Sequence, residues 1–147
     1  MSNSAYDTDC FFRTKEGAVN PSRASNQEVW NCYPIHAYIE GSSRELTDKN
    51  INVVSTGIFL RIANGVQARL VTSSENLDKG LELVECHIPN AKPAELKAYI
   101  RLNGMSKYKL SNRDLLGYLV LLEGRDPRKL NFKNDANHSF IKDEDIT

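Results

Sequence analysis

The residues with the clearest capacity for chemistry are the basic side chains of the C-terminal third. Between Ala91 and Lys133 there are ten basic and four acidic residues, a net charge of +6, and the remainder of the chain carries −6. Lysines and arginines at this density are typical of phosphate contacts, which position a protein on nucleic acid without reading its sequence. Tyr108, between two lysines, could stack on an unpaired base. The predicted nucleic-acid contacts are Lys97, Arg101, Lys107, Tyr108, Lys109, Arg113, Arg125, Arg128 and Lys129.

The same charge pattern is also typical of surfaces that bind no nucleic acid. It fits a solvated basic face with Tyr108 in the core, or a surface that meets an acidic protein or the acidic part of another copy. The sequence therefore leaves DNA, RNA, an acidic protein and a homodimer open as partners.

The cysteines and histidines form no recognisable catalytic or metal-binding motif. Cys86 and His87 are adjacent on a predicted strand, where neighbouring side chains point to opposite faces and cannot act on one atom. Cys32 and His36 have C-x3-H spacing, whereas structural zinc sites usually contain more closely spaced cysteine pairs. We therefore expect no metal and no other cofactor, and we assign no catalytic residue. An active site assembled from distant residues would leave no such motif, so enzymatic activity stays open.

The composition is that of an ordinary globular protein. The chain has 147 residues, of which 40% are hydrophobic and 26% charged, and no apolar run approaches the ~20 residues of a membrane span. The N-terminus lacks the basic and apolar regions of a signal peptide. Three cysteines are too few and too scattered for a disulfide framework. We expect a cytoplasmic protein that contacts no membrane.

The middle of the chain predicts a small antiparallel sheet. β-Branched and aromatic residues indicate strands over 29–39 and 81–88. Asn64-Gly65 is typical of a type I′ turn, which predicts a hairpin between 58–63 and 66–71.

Three segments predict helices. Ser43 could cap a short helix over 44–55. Pro93 suits the first turn of a helix that Asn103-Gly104 would end. Ser111 could cap a further helix over 112–123, which is apolar nearly all round and should be buried or shared with a partner.

The predicted fold class is α+β. A small antiparallel sheet of about four strands over 29–88 is followed by a helical C-terminal part. One domain spans 29–130, preceded by an irregular N-terminal arm over 1–28 and followed by a tail over 131–147.

These features favour a small cytoplasmic nucleic-acid-binding or regulatory protein without enzymatic activity. It would contact phosphates through the basic C-terminal helical segment. The alternative is a non-enzymatic protein-interaction module, an inhibitor or adaptor, that binds an acidic partner or dimerises through helix 112–123.

Overall fold

The chain is built almost entirely from β-strands. The computed structural model describes residues 9–22, 31–85, 88, 92–122 and 130–146. Its strands are β1 (Asp9–Thr14), β2 (Cys32–His36), β3 (Ser43–Thr47), β4 (Asn52–Arg61), β5 (Gln67–Thr72), β6 (Leu81–Leu83), β7 (Ala94–Leu102), β8 (Lys107–Ser111), β9 (Leu115–Leu122) and β10 (Asn131–Asn134). Within the described ranges there is one α-helix, α1 (Ser74–Lys79), and a 3-10 turn at Asp143–Asp145.

The strands form three sheets around two apolar clusters. A five-stranded sheet has the order β10-β1-β4-β7-β6, a three-stranded sheet has the order β2-β9-β5, and β3 pairs with β8 as a two-stranded ribbon. The first core lies between the five- and three-stranded sheets and includes Phe12, Ile35, Ile58, Leu60, Leu119 and Leu121. The second core lies between the other end of the five-stranded sheet, the ribbon and β9, and includes Leu46, Val54, Ala98, Ile100, Leu110 and Leu116.

Strand β7 occupies the segment for which a helix ending at Asn103-Gly104 was expected. Leu96, Ala98, Ile100 and Leu102 are buried, while the residues between them are exposed or half-buried. This period of two is that of a strand with one face on a core. This alternating burial favours the strand conformation, because every second side chain reaches the core only if the backbone is extended.

Strand β9 occupies the expected helix 112–123. It lies between β2 and β5 and pairs with both. A short apolar run fits a buried helix and a buried strand equally well by its pattern alone, and here two neighbouring strands are present to pair with it. The predicted α+β fold with a helical C-terminal part is therefore wrong, and so is dimerisation through a helix at this place.

The expected helix over 44–55 is also wrong, because β3, a turn and the start of β4 lie there. The Asn52 side chain closes the turn: its Nδ2 donates to the Thr47 carbonyl at 2.8 Å, and its Oδ1 accepts from the Thr47 N–H at 3.2 Å. These bonds close the turn at which β3 ends and β4 begins, in the middle of the segment for which a helix was expected.

A turn is present at Asn64-Gly65, but it is not the expected type I′ turn, because Asn64 lacks the positive φ that this type requires, and the hairpin expected around it is absent. The Val66 N–H donates to the Ala63 carbonyl at 3.2 Å, and Gly65 has φ +85°. Strand β4 pairs with β1 and β7, whereas β5 pairs with β9 in the other sheet. Ile62 and Val66 are both buried in the first core, so the chain passes from one sheet to the other at this turn.

Both ends of the described chain contribute strands to the five-stranded sheet. β1, from the expected arm, and β10, from the expected tail, pair in parallel. The buried Asp9 accepts from Asn131 Nδ2 at 3.0 Å and from Lys133 Nζ at 3.2 Å. The expected domain limits stay a prediction.

None of the helical structure in the described residues has the length and apolar content needed to cross a membrane.

The segment after β10 is held by one buried carboxylate. Asp135 accepts the N–H groups of Ser139, Phe140 and Ile141 at 3.2, 2.9 and 2.7 Å. Burial alone would raise the pKa of Asp135, but these three hydrogen bonds and the nearby His138 outweigh it, so the pKa lies below its ordinary value of 3.8. The segment is thereby placed so that Phe140 stacks on Phe11 with ring centroids 4.0 Å apart.

We predict that Asp135→Asn lowers the free energy of unfolding by about 2–3 kcal/mol, because an amide replaces the carboxylate that accepts three N–H groups, of which that of Ile141 is buried. The folded-state pKa is depressed, so the carboxylate stabilises the fold above pH 3.8 and loses that contribution as the pH falls through the folded value. Urea denaturation at neutral and acidic pH measures both effects, and the gap between native and variant chains should narrow on acidification.

Asp78→Asn, on the exposed face of α1, is the control and should change the free energy by less than about 0.5 kcal/mol. An unchanged midpoint for Asp135→Asn at neutral pH would contradict the anchoring role.

Candidate ligand-binding cleft

The predicted nucleic-acid contacts do not share one helical face. Lys97 and Arg101 are exposed on β7, Lys107 and Lys109 are exposed on β8, and Arg113 lies in the turn before β9. Arg125, Arg128 and Lys129 lie outside the described residues. The helices expected to present these side chains are replaced by strands throughout the described part of the segment, and a binding role for the individual residues stays untested.

Three of the described residues in this group contact other parts of the chain. Arg101 lies opposite Glu82 in the register, with an N···O distance of 3.8 Å. Tyr108 is half-buried and packs against the second core. The Arg113 backbone N–H donates to the Ala37 carbonyl at 2.9 Å, and its guanidinium reaches the Gly17 carbonyl at 3.5 Å.

The Cys32 and His36 side chains are half-buried and lie four residues apart on β2. Burial raises the pKa of the Cys32 thiol and lowers that of the His36 imidazole, which favours the neutral form of both. Cys86 and His87 lie outside the described residues. In the part of the chain that the structure describes, no three His, Cys, Asp or Glu side chains are grouped so that they could hold a metal ion.

A β-bulge in β4 interrupts the pairing of this strand with β7. Ser55 lies opposite Lys97 and Phe59 lies opposite Glu95, so three residues of β4 face only Leu96. Bulges bend a strand, re-aim its side chains and are common beside functional sites.

Polar groups of this bulge that have no partner on β7 are bonded elsewhere. Thr56 Oγ1 donates to the Leu96 carbonyl at 2.5 Å and accepts the Ile58 N–H at 3.2 Å. The Gly57 N–H donates to Glu95 Oε2 at 3.2 Å, and the Gly57 carbonyl accepts the Lys15 N–H at 2.8 Å. Because unpaired buried backbone groups are costly, these bonds hold the bulge in one conformation.

The bulge also requires glycine. Gly57 has φ +69°, and a Cβ at this position would lie 2.6 Å from Ala18 Cβ and 3.2 Å from Tyr38 Cγ. Tyr38 is held against the glycine by its N–H, which donates to the Ser55 carbonyl at 2.9 Å, and by its hydroxyl, which donates to the Glu16 carbonyl at 3.4 Å.

A cleft of about 390 Å³ opens beside this bulge. We call it the bulge cleft. Its volume falls within the usual range for small-molecule sites. The polar residues that line it include Lys15, Tyr38, Glu40, Arg44, Ser55 and Glu95.

The charged groups lie towards opposite ends of the bulge cleft. At one end the Arg44 guanidinium donates to the Val53 carbonyl. At the other end Glu95 Oε2 accepts the Gly57 N–H, and the backbone N–H of Lys15 donates to the Gly57 carbonyl, while the Lys15 ammonium lies 5.9 Å from the centroid of the Phe59 ring. Val53 and Gly57 lie four residues apart on β4, so the two anchoring points are separated by at most about 13 Å. The bulge cleft can therefore meet an elongated ligand with a different group at each end.

Sequence reasoning missed this cleft because its residues come from four separate segments. Lys15 lies in the expected arm and Arg44 in an expected helix, while Tyr38 and Glu95 carry no motif. The one local signal is Gly57, since an isolated glycine within a β-branched run suggests a bulge.

The comparisons with known proteins give a likeness in fold but none in sequence family. No family model matches the chain, and no curated protein matches its sequence. Among solved structures, a variant dUTPase from phage phi11 of S. aureus, described with a structural Mg(II) ion, has a TM-score of 0.65 at 18% identity over 80% of this chain and 92% of that one. A variant dUTPase of Staphylococcus bacteriophage 80alpha with dUpNHpp has a TM-score of 0.64 at 15% identity over 80% and 84% of the two chains.

This chain thus has a dUTPase-like jelly-roll fold. The predicted basic helical nucleic-acid-binding or regulatory protein is wrong, because the segment that defined it is part of this fold. The alternative of an interaction module built on helix 112–123 is wrong for the same reason. A metal ligated mainly by protein side chains does not fit the described residues, which lack a group of three suitable ligands.

We predict that Gly57→Ala destabilises the fold more than Gly65→Ala. Both glycines have positive φ, but a Cβ at Gly65 meets nothing within 4 Å, whereas one at Gly57 meets Ala18 and Tyr38. Backbone strain costs about 1–2 kcal/mol at either position, and overpacking adds about 1–3 kcal/mol at Gly57. Urea denaturation measures both variants, and equal losses would show that the bulge tolerates a side chain.

Proposed function

We propose that this chain binds a nucleoside phosphate in the bulge cleft. The observation that carries the proposal is the anchored Arg44 guanidinium at one end of a cleft of suitable volume. The dUTPase-like fold supports it, because the 80alpha dUTPase of similar fold is described with dUpNHpp. The proposal concerns this chain's own cleft and transfers no residue role from that protein.

Arg44 is the proposed phosphate contact. One of its N–H groups is bonded to the Val53 carbonyl, which orients the guanidinium while its other donors stay available. Arginine presents several N–H donors in a planar fork that matches phosphate oxygens. Ser43, the preceding residue, also lines the bulge cleft and offers a hydroxyl at the same end.

Tyr38 is the proposed aromatic contact. Its ring lies against Gly57, and its backbone N–H and hydroxyl are both hydrogen-bonded. A ring held in this way loses little conformational entropy when a base or sugar packs on it.

The proposal is one of binding and includes no hydrolytic step. Among the described hydrogen bonds of the bulge cleft, neither Ser43 nor Ser55 donates to a carboxylate, so no nucleophile and base pair is assigned. A cytoplasmic location and a homodimer stay predictions from the sequence, and binding in the cleft depends on neither.

We predict that Arg44→Gln weakens the binding of GMP about tenfold or more. The reason is the loss of the proposed charge-assisted hydrogen bond to a phosphate oxygen, which contributes about 1.5–3 kcal/mol. Isothermal titration calorimetry measures the dissociation constant at fixed salt. Lys79→Gln, an equal loss of charge on α1 away from the cleft, should leave it unchanged.

Equal weakening by both variants would show that net charge acts at long range and that Arg44 makes no contact. If the native chain binds neither dUTP nor a nucleoside monophosphate, the proposed function is wrong.

A further inference from the structure

We propose that Glu95 determines the specificity of the bulge cleft by accepting two neighbouring N–H or O–H donors of the ligand. These donors would belong to the end of the ligand opposite its phosphate. The inference rests on the proposed nucleotide binding and deepens it, because it names the group that the far end of the ligand must carry.

The Glu95 carboxylate is fixed in place but not saturated. Its Oε2 accepts the Gly57 N–H at 3.2 Å, which ties the half-buried side chain to the bulge. Its Oε1 has no hydrogen-bond partner among the described residues, and each carboxylate oxygen can accept two hydrogen bonds. The side chain therefore enters the bulge cleft as a positioned acceptor with most of its capacity open.

The charges of the bulge cleft orient the ligand. A phosphate beside Glu95 would be repelled by the carboxylate, and Lys15, which lines the same cleft, offsets that repulsion only in part, whereas Arg44 at the other end attracts it. Glu95 therefore disfavours the anionic group at the Gly57 end relative to the Arg44 end, and so favours an uncharged part of the ligand there. Such repulsion contributes to specificity as much as attraction does.

Two parts of a nucleotide present paired donors to a carboxylate. One is the cis-diol of ribose, and the other is the edge of guanine with its adjacent N1–H and N2–H groups. Uracil instead presents a single N–H between two carbonyl oxygens, which a carboxylate repels. A deoxyuridine nucleotide should therefore bind poorly.

Four nucleoside monophosphates test the inference on the native chain. GMP, dGMP, UMP and dUMP carry the same phosphate and differ only in the diol and the base. If Glu95 accepts the diol, GMP and UMP should bind about tenfold or more tightly than dGMP and dUMP. If it accepts guanine, GMP and dGMP should bind more tightly than UMP and dUMP by a similar factor.

Both arms place dUMP among the weak ligands. Binding of dUMP as tightly as GMP overturns the specificity inference and leaves the proposed function intact. Binding of none of the four nucleotides defeats the proposed function itself, so the two failures are distinguishable.

Glu95→Gln assigns any observed preference to this residue. The glutamine oxygen can still accept the Gly57 N–H, so the bulge is preserved, but the charge is lost and an N–H donor replaces one acceptor. The preference for GMP over dUMP should fall to about twofold or less, with dUMP binding unchanged or tighter. A purely structural role for Glu95 would instead weaken all four nucleotides equally.

Glu75→Gln, an exposed change on α1, is the matched control and should keep the preference of the native chain. Urea denaturation of Glu95→Gln checks that it is folded. If it is not folded, the four-nucleotide comparison on the native chain still decides whether the predicted specificity exists.

Discussion

The structure depends on how strand β4 accommodates its bulge. β4 is the central strand of the five-stranded sheet, and three of its residues face one residue of β7. A strand so interrupted is stable only if the displaced backbone groups are paired elsewhere. Thr56, Glu95 and the Lys15 backbone supply those partners. The same bonds that repair the sheet therefore bring together residues from β4, β7 and the segment that follows β1.

The two cores explain why the bulge cleft lies where it does. The first core joins the five- and three-stranded sheets, and the second joins the five-stranded sheet to the ribbon and β9. The segment from β2 to β3 runs across the bulge and brings Tyr38 and Arg44 beside β4. Its path is held by the Tyr38 N–H on the Ser55 carbonyl and by the Arg44 guanidinium on the Val53 carbonyl. Packing and hydrogen bonding thus place the cleft, and Gly57 is its one local signal in the sequence.

The dUTPase-like fold persists here at 15–18% identity, because a jelly roll depends on patterns more than on particular residues. The two cores require alternating burial along β7 and a continuous apolar run in β9, and many different apolar side chains can meet both requirements. The cleft residues are under no such constraint, since Arg44 is exposed and Lys15 and Glu95 are only half-buried. A shared fold therefore leaves the ligand to be inferred from this chain's own side chains, above all from Arg44 and Glu95 at opposite ends of the cleft.

Local sequence determined the features that depend on near neighbours. A turn at Asn64-Gly65, the strands at Cys32–His36 and Leu81–Leu83 and the exposure of Lys97, Lys107 and Lys109 follow from residue type. Only the tertiary structure decided that 94–102 and 115–122 are strands, that β4 and β5 lie in different sheets, and that Lys15, Tyr38, Arg44 and Glu95 share a cleft. The physical reason is that strand pairing is non-local: an apolar run satisfies a helix or a strand equally well until the chain supplies an edge for it to pair with.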